Sequence, residues 1–183
     1  AAGFMSVGAY VCALLSLKAD LPIVVGILAG GFVAALVAVI IGLPTTRLKG
    51  LYLAIATLGF GEVVRVIFLN LDVTNGALGL SGIPSIPQEL TNFAYEIDID
   101  GLMGIDAVAW GNIMAIIILL IVLIFIIAFC VRINNSRVGR AFAAIKADDH
   151  AAELMGINVV YYKMMAFIIG AFIAGIGGGL YAH

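Results

Sequence analysis

The hydrophobic positions of this chain form five long runs that contain few charged residues. A helix needs about 20 apolar residues to cross the ~30 Å hydrocarbon layer of a bilayer, and the runs reach or approach that length. The second run is the most uniform, because no charged residue occurs from Leu21 to Leu43. The pattern predicts an all-α fold, a polytopic transmembrane helix bundle with about five crossings. The runs cover residues 1–17, 21–43, 51–71, 113–131 and 164–183.

Small residues recur at every fourth position along the second and the last run. Such a stripe lets two helix backbones approach closely, which supports helix association where lipid removes the hydrophobic driving force. We therefore expect both runs to pack inside a bundle through these faces. The stripe of the second run is Gly26, Gly30, Ala34, Ala38 and Gly42, and the stripe of the last run is Ala166, Gly170, Ala174, Gly178 and Ala182.

Composition agrees with a membrane location. Hydrophobic residues make up 64% of the chain and charged residues 11%, with a mean hydropathy of +1.22. A soluble domain has about 25% charged residues, so a soluble enzyme, a nucleic-acid binder and a disordered linker are all disfavoured. We interpret residues 1–183 as a single transmembrane domain, and we expect it to be truncated at both ends because it begins and stops inside apolar runs.

The signs of the charges orient the predicted crossings. Residues 72–112, here called the outer segment, contain six acidic residues and no Lys or Arg. Residues 132–163, here called the cytoplasmic loop, contain five of the nine basic residues. The positive-inside rule therefore places 72–112 outside and 132–163, together with 44–50, in the cytoplasm. Gly, Asn and Pro are dense in 74–84, so the outer segment is expected to begin as a turn-rich, non-helical loop.

The third run is unusual because it carries two charges. Glu62 and Arg65 are three residues apart and so share one helical face. Charges inside a membrane usually face a bundle interior or a water-filled cavity. Two interpretations stay open: the residues line a transport pathway, or they form a structural ion pair inside the bundle.

The cytoplasmic loop carries helix-start and helix-stop signals. Ser136 is expected to cap one short helix, Asp148 a second, and Gly156 to end the second. Such an ordered loop on the basic side of a bundle favours a partner protein, the alternative being that it folds back on the membrane surface. Its predicted apolar edge consists of Phe142, Ile145, Ala152 and Met155.

Motifs for catalysis do not occur in the sequence. It has no phosphate-binding G-x-x-x-x-G-K-[ST] loop, no H-E-x-x-H and no G-x-S-x-G. The acidic Asp98–Gly101 stretch lacks the further ligands of a calcium-binding loop. We therefore expect a chain that is not an enzyme and that binds no metal, cofactor or nucleotide of its own.

Several motifs resemble one family along nearly the whole chain. Arg47–Glu62 resembles the R-L-[RK]-G-x-Y-x-A-x-x-T-L-x-F-x-E stretch of branched-chain amino acid ABC transporter permeases, most closely their M-type subunit. Gly79–Pro84 resembles the G-L-S-G-I-P of that subunit, and Gly3–Tyr10 the part after its entry motif. Ser136–Ala141 and Ala151–Asn158 are similar to its cytoplasmic loop.

The resemblance implies an importer permease in a bacterial or archaeal plasma membrane. Its expected partners are a sister permease subunit, two ATPase subunits that use the ATP, and an extracytoplasmic substrate-binding protein. The family's cytoplasmic loop supplies a helix that couples to the ATPase. The candidate residues for the pathway or an intramembrane pair are Thr57, Glu62 and Arg65, of which the first two lie in the matched third-run stretch. The residues expected in the coupling loop are Arg140, Ala151, Ala152, Glu153 and Gly156.

Other functions compete with this interpretation. Permeases for urea and short amides resemble those for leucine, isoleucine and valine, so the substrate stays open. A self-contained secondary transporter or channel would use Glu62 and Arg65 to gate or to carry a coupling ion, without an ATPase. A purely structural membrane subunit is the third class.

Overall fold

The computed structural model describes residues 2–19, 22–45, 51–71, 74, 76, 79, 80, 82–96 and 106–183. This part of the chain contains helices and no strand, so the all-α prediction is confirmed for it. The helices are α1 (Ala2–Ala19), α2 (Ile23–Thr45), α3 (Leu51–Asn70), α4 (Ile86–Glu96), α5 (Ala107–Asn134), α6 (Arg137–Ala147), α7 (Asp149–Leu154) and α8 (Val159–Ala182).

Each of the five predicted apolar runs corresponds to a helix. Within the described residues, three helices are long and apolar enough to cross a membrane: Ile23–Pro44, Ala107–Asn134 and Val159–Ala182. Helix α1 is apolar but shorter, over Ala2–Lys18. A transmembrane helical bundle is therefore the architecture, while the total of five crossings stays a prediction.

Helices α1, α2 and α8 form the centre of the bundle and pack on one another most extensively. The stripe predicted on α2 lies at these contacts. A Cβ atom placed on Gly30 would lie 2.7 Å from the backbone oxygen of Gly8 in α1. Ala34 is fully buried between the helices, and Gly26 is buried against Cys12. Backbones approach closely here because no side chain keeps them apart.

The packing face of α8 differs from the predicted stripe. Gly178 is buried against Met5 of α1, but Ala174 is only half-buried and Gly170 is exposed. A Cβ atom on Gly170 would meet no atom within 4 Å. The expectation for Gly170 is therefore wrong for this bundle: the face that meets α1 and α2 is rotated by about one residue. Its buried members are Ala171, Gly175, Gly178 and Gly179.

Helix α3 is attached to the centre along one side. Phe60 stands 5.4 Å from Phe4 between ring centroids, and Phe68 stacks on Tyr10 at 4.3 Å. Val64, one turn from each of these α3 aromatic residues, is buried in the same cluster. The side of α3 that carries these residues therefore faces α1, and the other side faces away from the bundle.

The outer segment contains a helix that the turn signals did not predict. Residues 82–85 are non-helical as expected, but α4 follows over Ile86–Glu96, and α5 begins at Ala107 rather than at residue 113. Helix α4 packs on α5, where Gly111 fits against Thr91. Apolar residues at Ile86, Leu90 and Phe93 follow helical spacing, a signal that the Gly and Pro residues before them masked.

The two polar segments lie at opposite ends of the bundle. Helix α4 contacts the start of α5, and the residues just before α4 contact the last residue, His183. Helix α6 contacts the other end of α5, and both α6 and α7 contact the start of α8. This separation agrees with the opposite sides that the charge pattern assigns to them.

Candidate functional site

The cytoplasmic loop begins with a tight turn built around Ser136. Its hydroxyl donates to the carbonyl of Ile133 at 2.6 Å, at the end of α5. The same oxygen accepts from the backbone N–H groups of Val138 and Gly139 at 3.2 and 3.4 Å. One side chain thus satisfies groups of two helix ends, and the predicted cap of α6 is confirmed.

Asp148 caps α7 as its sequence position predicts. Its Oδ1 accepts from the backbone N–H groups of His150 at 2.8 Å and Ala151 at 3.2 Å. The bonds from Ala151 and His150 lower the pKa of the Asp148 carboxyl, because they stabilise its charged form. The stability from this cap is present above the pKa of an unfolded aspartate, and it is lost as the pH falls through the lowered value.

Gly156 ends α7 in the left-handed conformation, with φ of +80°. Its N–H donates to the carbonyl of Glu153 at 3.0 Å, and the N–H of Ile157 donates to the carbonyl of Ala152 at 3.1 Å. These two bonds are the pair that defines a Schellman motif. The predicted role of Gly156 as the residue after the helix end is confirmed, and the motif fixes where the chain turns towards α8.

The apolar edge predicted for the loop divides into two parts. Ile145 and Ala152 are buried, and Phe142 makes an edge contact with Tyr162 of α8, so these residues hold the loop on its own bundle. Met155, in contrast, is 70% exposed. Its neighbour Leu154 is 90% exposed. From α6 to the end of α7, the exposed large apolar side chains are therefore Leu154 and Met155, here called the tip of α7, and they include one of the four residues predicted for the apolar edge.

Of the residues expected to couple to an ATPase, Ala151, Ala152, Glu153 and Gly156 lie on α7 or at its end, next to this tip. Glu153 is exposed and lines a depression of about 340 Å³ that also includes Gly156 and Asn158. Ala151 and Arg140 are exposed, whereas Ala152 is buried on the inner side of α7. The tip therefore presents an apolar pair, an acidic side chain and a hollow within a few residues of one another.

Two contacts that the sequence analysis missed lie at the start of α8, and one of them attaches it to α7. Lys163 of α8 forms an ion pair with Asp149 at the start of α7. The Asn158 side chain caps α8 by accepting from the N–H of Tyr161 at 3.1 Å. An Asn directly before an apolar run is a recognisable capping signal. The ion pair has no local signal, because its members are 14 positions apart.

Glu62 and Arg65 form an ion pair on the side of α3 that faces away from the bundle. Glu62 Oε1 and Arg65 Nη1 are 2.5 Å apart, and the side chains are 63% and 64% exposed, respectively. Val66 and Leu58 on neighbouring turns are also exposed. The pair therefore lies outside the helix contacts of the described residues, within a helix that is otherwise apolar. Thr57 is half-buried on the same helix.

Removing one charge of this pair is expected to harm the protein more than removing both. Where lipid or a neighbouring subunit covers this side of α3, Glu62→Ala or Arg65→Ala leaves an unpaired buried charge, a loss that typically costs about 3–5 kcal/mol, whereas the double variant leaves none. The measurement is the amount of folded protein in membranes and its resistance to thermal unfolding, for both single variants and the double variant. If each single variant loses only a little stability and the double variant loses the sum of the two, water surrounds the pair, because an exposed ion pair contributes about 1 kcal/mol or less.

Among the described residues, no group of three or more His, Cys, Asp or Glu side chains could hold a metal ion. The Asp98–Gly101 stretch lies outside the described residues.

Long apolar helices and an ordered polar loop at one end define a multi-pass membrane protein. All 183 residues match a family model described as the permease component of branched-chain amino acid transport systems, and the chain belongs to this family.

Curated relatives carry the same description. The chain is 33% identical, over 98% of its length, to high-affinity branched-chain amino acid transport system permease proteins LivM of Salmonella typhimurium and Escherichia coli. It is 28% identical, over 87% of its length, to a probable branched-chain amino acid transport permease protein LivM of Methanocaldococcus jannaschii. The chain spans 44% of the first two proteins and 42% of the third. No solved structure matches it significantly.

Proposed function

We propose that this chain is the membrane-spanning permease subunit of an ABC importer, which moves branched-chain amino acids inward across the plasma membrane of a bacterium or an archaeon. The energy comes from a separate ATPase, and the chain binds no cofactor itself. The observation that carries the proposal is the tip of α7. There, Leu154 and Met155 stay exposed on a helix whose two ends are fixed by Asp148 and Gly156.

The tip has the properties that docking to another protein needs. An apolar pair on a helix whose two ends are capped loses little backbone entropy on binding and buries apolar area against the partner. Glu153, beside the pair, would orient the loop by meeting a basic group of the ATPase. The depression between Glu153 and Asn158 is large enough for one side chain of the partner. Arg140 is exposed on α6 and would add a cation to the same docking contact.

The exposed side of α3, which carries Glu62 and Arg65, is our candidate for the surface that meets the translocation pathway. An ion pair that is about two-thirds exposed in the isolated chain needs either water or another polar surface inside a membrane. A sister permease subunit placed against α3 would supply that surface, with Thr57, Glu62 and Arg65 lining the contact. The binding protein would deliver substrate at the opposite end of the bundle from α7.

A self-contained secondary transporter is the second candidate, and the ion pair on α3 is the observation that favours it. In that case Glu62 and Arg65 would move or gate a coupling ion, and no ATPase would bind. A family permease for urea or short amides is a variant of the first proposal that differs only in substrate.

Purification followed by uptake measurements distinguishes these functions. We expect two ATPase subunits and a sister permease to co-purify with the chain, and reconstituted vesicles to accumulate leucine only with ATP and the binding protein. Unlabelled leucine, isoleucine and valine should compete, and urea should not. The matched control is the same complex with an ATPase subunit that cannot hydrolyse ATP. ATP-independent uptake by this chain alone would favour the secondary transporter. Competition by urea would favour the permease for urea or short amides.

A further inference from the structure

We propose that His183 is a positioning residue, which latches the beginning of α4 to the end of α8 and makes α8 a rigid connection between the outer segment and the cytoplasmic loop. This inference rests on the proposed function, because it assigns to α8 the transmission of binding-protein contact to the ATPase.

The latch consists of three hydrogen bonds at one end of the bundle. The ring of His183 places Nδ1 2.7 Å from the carbonyl oxygen of Pro84 and Nε2 3.2 Å from the hydroxyl of Ser16. The backbone oxygen of His183 accepts from the N–H of Ile86 at 3.2 Å. The imidazole therefore joins α8 to α1 and to the residues that lead into α4.

The chemistry of the partners fixes the roles of the two ring nitrogens. A carbonyl oxygen can only accept, so Nδ1 carries the proton that it donates to Pro84. In the neutral ring Nε2 then accepts from the Ser16 hydroxyl, and Ser16 is only 7% exposed. The bond from Ile86 satisfies one of the backbone donors that the first turn of α4 leaves without an intrahelical partner. The start of α4 is thus held by the end of α8.

Helix α8 is also fixed at its other end. Asn158 caps it, and the ion pair between Lys163 and Asp149 joins it to α7. Its 24 residues span about 36 Å, the thickness of the membrane core and part of the headgroups. Between the two ends, Gly175 and Gly178 bring the α8 backbone into close contact with the backbone of α1 at Gly8 and Met5, so α8 is also held along this side.

A displacement of Pro84 and Ile86 therefore has a direct mechanical route to α7. When a loaded binding protein presses on the outer segment, the latch transfers the movement to α8, and the ion pair between Lys163 and Asp149 transfers it to α7. Without the latch, the outer segment could move while α8 remained still.

The test removes the latch and keeps the ring. His183→Phe retains the aromatic volume but loses both ring hydrogen bonds, and His183→Asn retains a donor at the position of Nδ1. In the reconstituted complex, His183→Phe is expected to reduce the stimulation of ATP hydrolysis by loaded binding protein about ten-fold, as the loss of two ordinary hydrogen bonds predicts. Basal ATP hydrolysis and the yield of complex should not change. His183→Asn should recover part of the stimulation. Tyr181→Phe, at an 81% exposed position on the same helix end, is the control and should behave as the wild type.

Hydrogen exchange separates failure of the latch from failure of the proposed function. In the chain itself, His183→Phe should speed exchange of the Ile86 amide whether or not an ATPase binds. If the wild type recruits no ATPase, the proposed function is wrong, while the exchange result still decides whether the latch exists. Full stimulation in His183→Phe would overturn the inference. Equal losses of basal activity and complex yield would also overturn it, because they would show a role in folding only.

Discussion

The substitution Gly178→Ala is expected to abolish most of the yield of folded, membrane-inserted protein. Gly178 is buried where α8 crosses α1, and a Cβ atom there would lie 1.9 Å from the backbone oxygen of Met5. Because that oxygen belongs to a helix backbone, α1 and α8 would have to separate by about 1.5 Å to restore ordinary contact. Overpacking of a core costs about 1–3 kcal/mol or more, which is a large part of a total stability of about 5–15 kcal/mol.

The yield of membrane-inserted protein and its unfolding temperature in detergent measure this effect. The same helix offers two matched controls, because a Cβ atom on Gly177 or on Gly170 would meet nothing within 4 Å. Gly177→Ala and Gly170→Ala should therefore accumulate and unfold as the wild type does. Normal behaviour of Gly178→Ala would contradict the crossing of α1 and α8 described above.

Gly156→Val is expected to lower both leucine accumulation and the ATP hydrolysis stimulated by loaded binding protein by about ten-fold or more, while the bundle stays folded. A β-branched residue is strongly disfavoured at the φ of +80° that Gly156 adopts. Relief of that strain breaks the two hydrogen bonds that end α7, from Gly156 to Glu153 and from Ile157 to Ala152. The tip formed by Leu154 and Met155 would then point in another direction. No atom lies within 4 Å of the new Cβ, so the effect arises from the backbone rather than from a clash.

Asparagine at position 156 is the matched control, because it is similar in size to valine and tolerates the left-handed conformation. ATP hydrolysis stimulated by loaded binding protein, and leucine accumulation in the same vesicles, should be retained in Gly156→Asn and lost in Gly156→Val. Glu153→Ala should lose part of both. Full stimulation and uptake in Gly156→Val would show that the tip of α7 does not dock on the ATPase and would favour the secondary transporter.

Local features were the ones that the sequence predicted best. The caps at Ser136 and Asp148 and the helix end at Gly156 involve hydrogen bonds between residues at most five positions apart, so residue type and spacing suffice to predict them. The five apolar runs became helices because lipid leaves the backbone no other partner within a single segment. The missed helix α4 is also a local feature, which the density of Gly and Pro before it concealed.

The packing face of α2 was predictable from the sequence, and the packing face of α8 was not. Gly26, Gly30 and Ala34 give α2 one continuous smooth side between bulky residues, and that side is buried. Helix α8 contains small residues on several sides, including Gly170, Gly177 and Gly178, so the i+4 spacing alone does not select one. The approach of the α1 backbone selects it.

By itself, the sequence determined that this protein is an all-α membrane protein, where its apolar helices lie, and how its cytoplasmic loop is capped, because each of these depends on interactions within a few residues. Only the tertiary structure decided that the Glu62–Arg65 pair faces away from the bundle, that Leu154 and Met155 remain exposed while Ile145 is buried, and that His183 meets Ser16 from 167 positions away. These depend on how rigid helices of nearly uniform hydrophobicity fit together, and such helices carry little pattern to indicate which side turns inward.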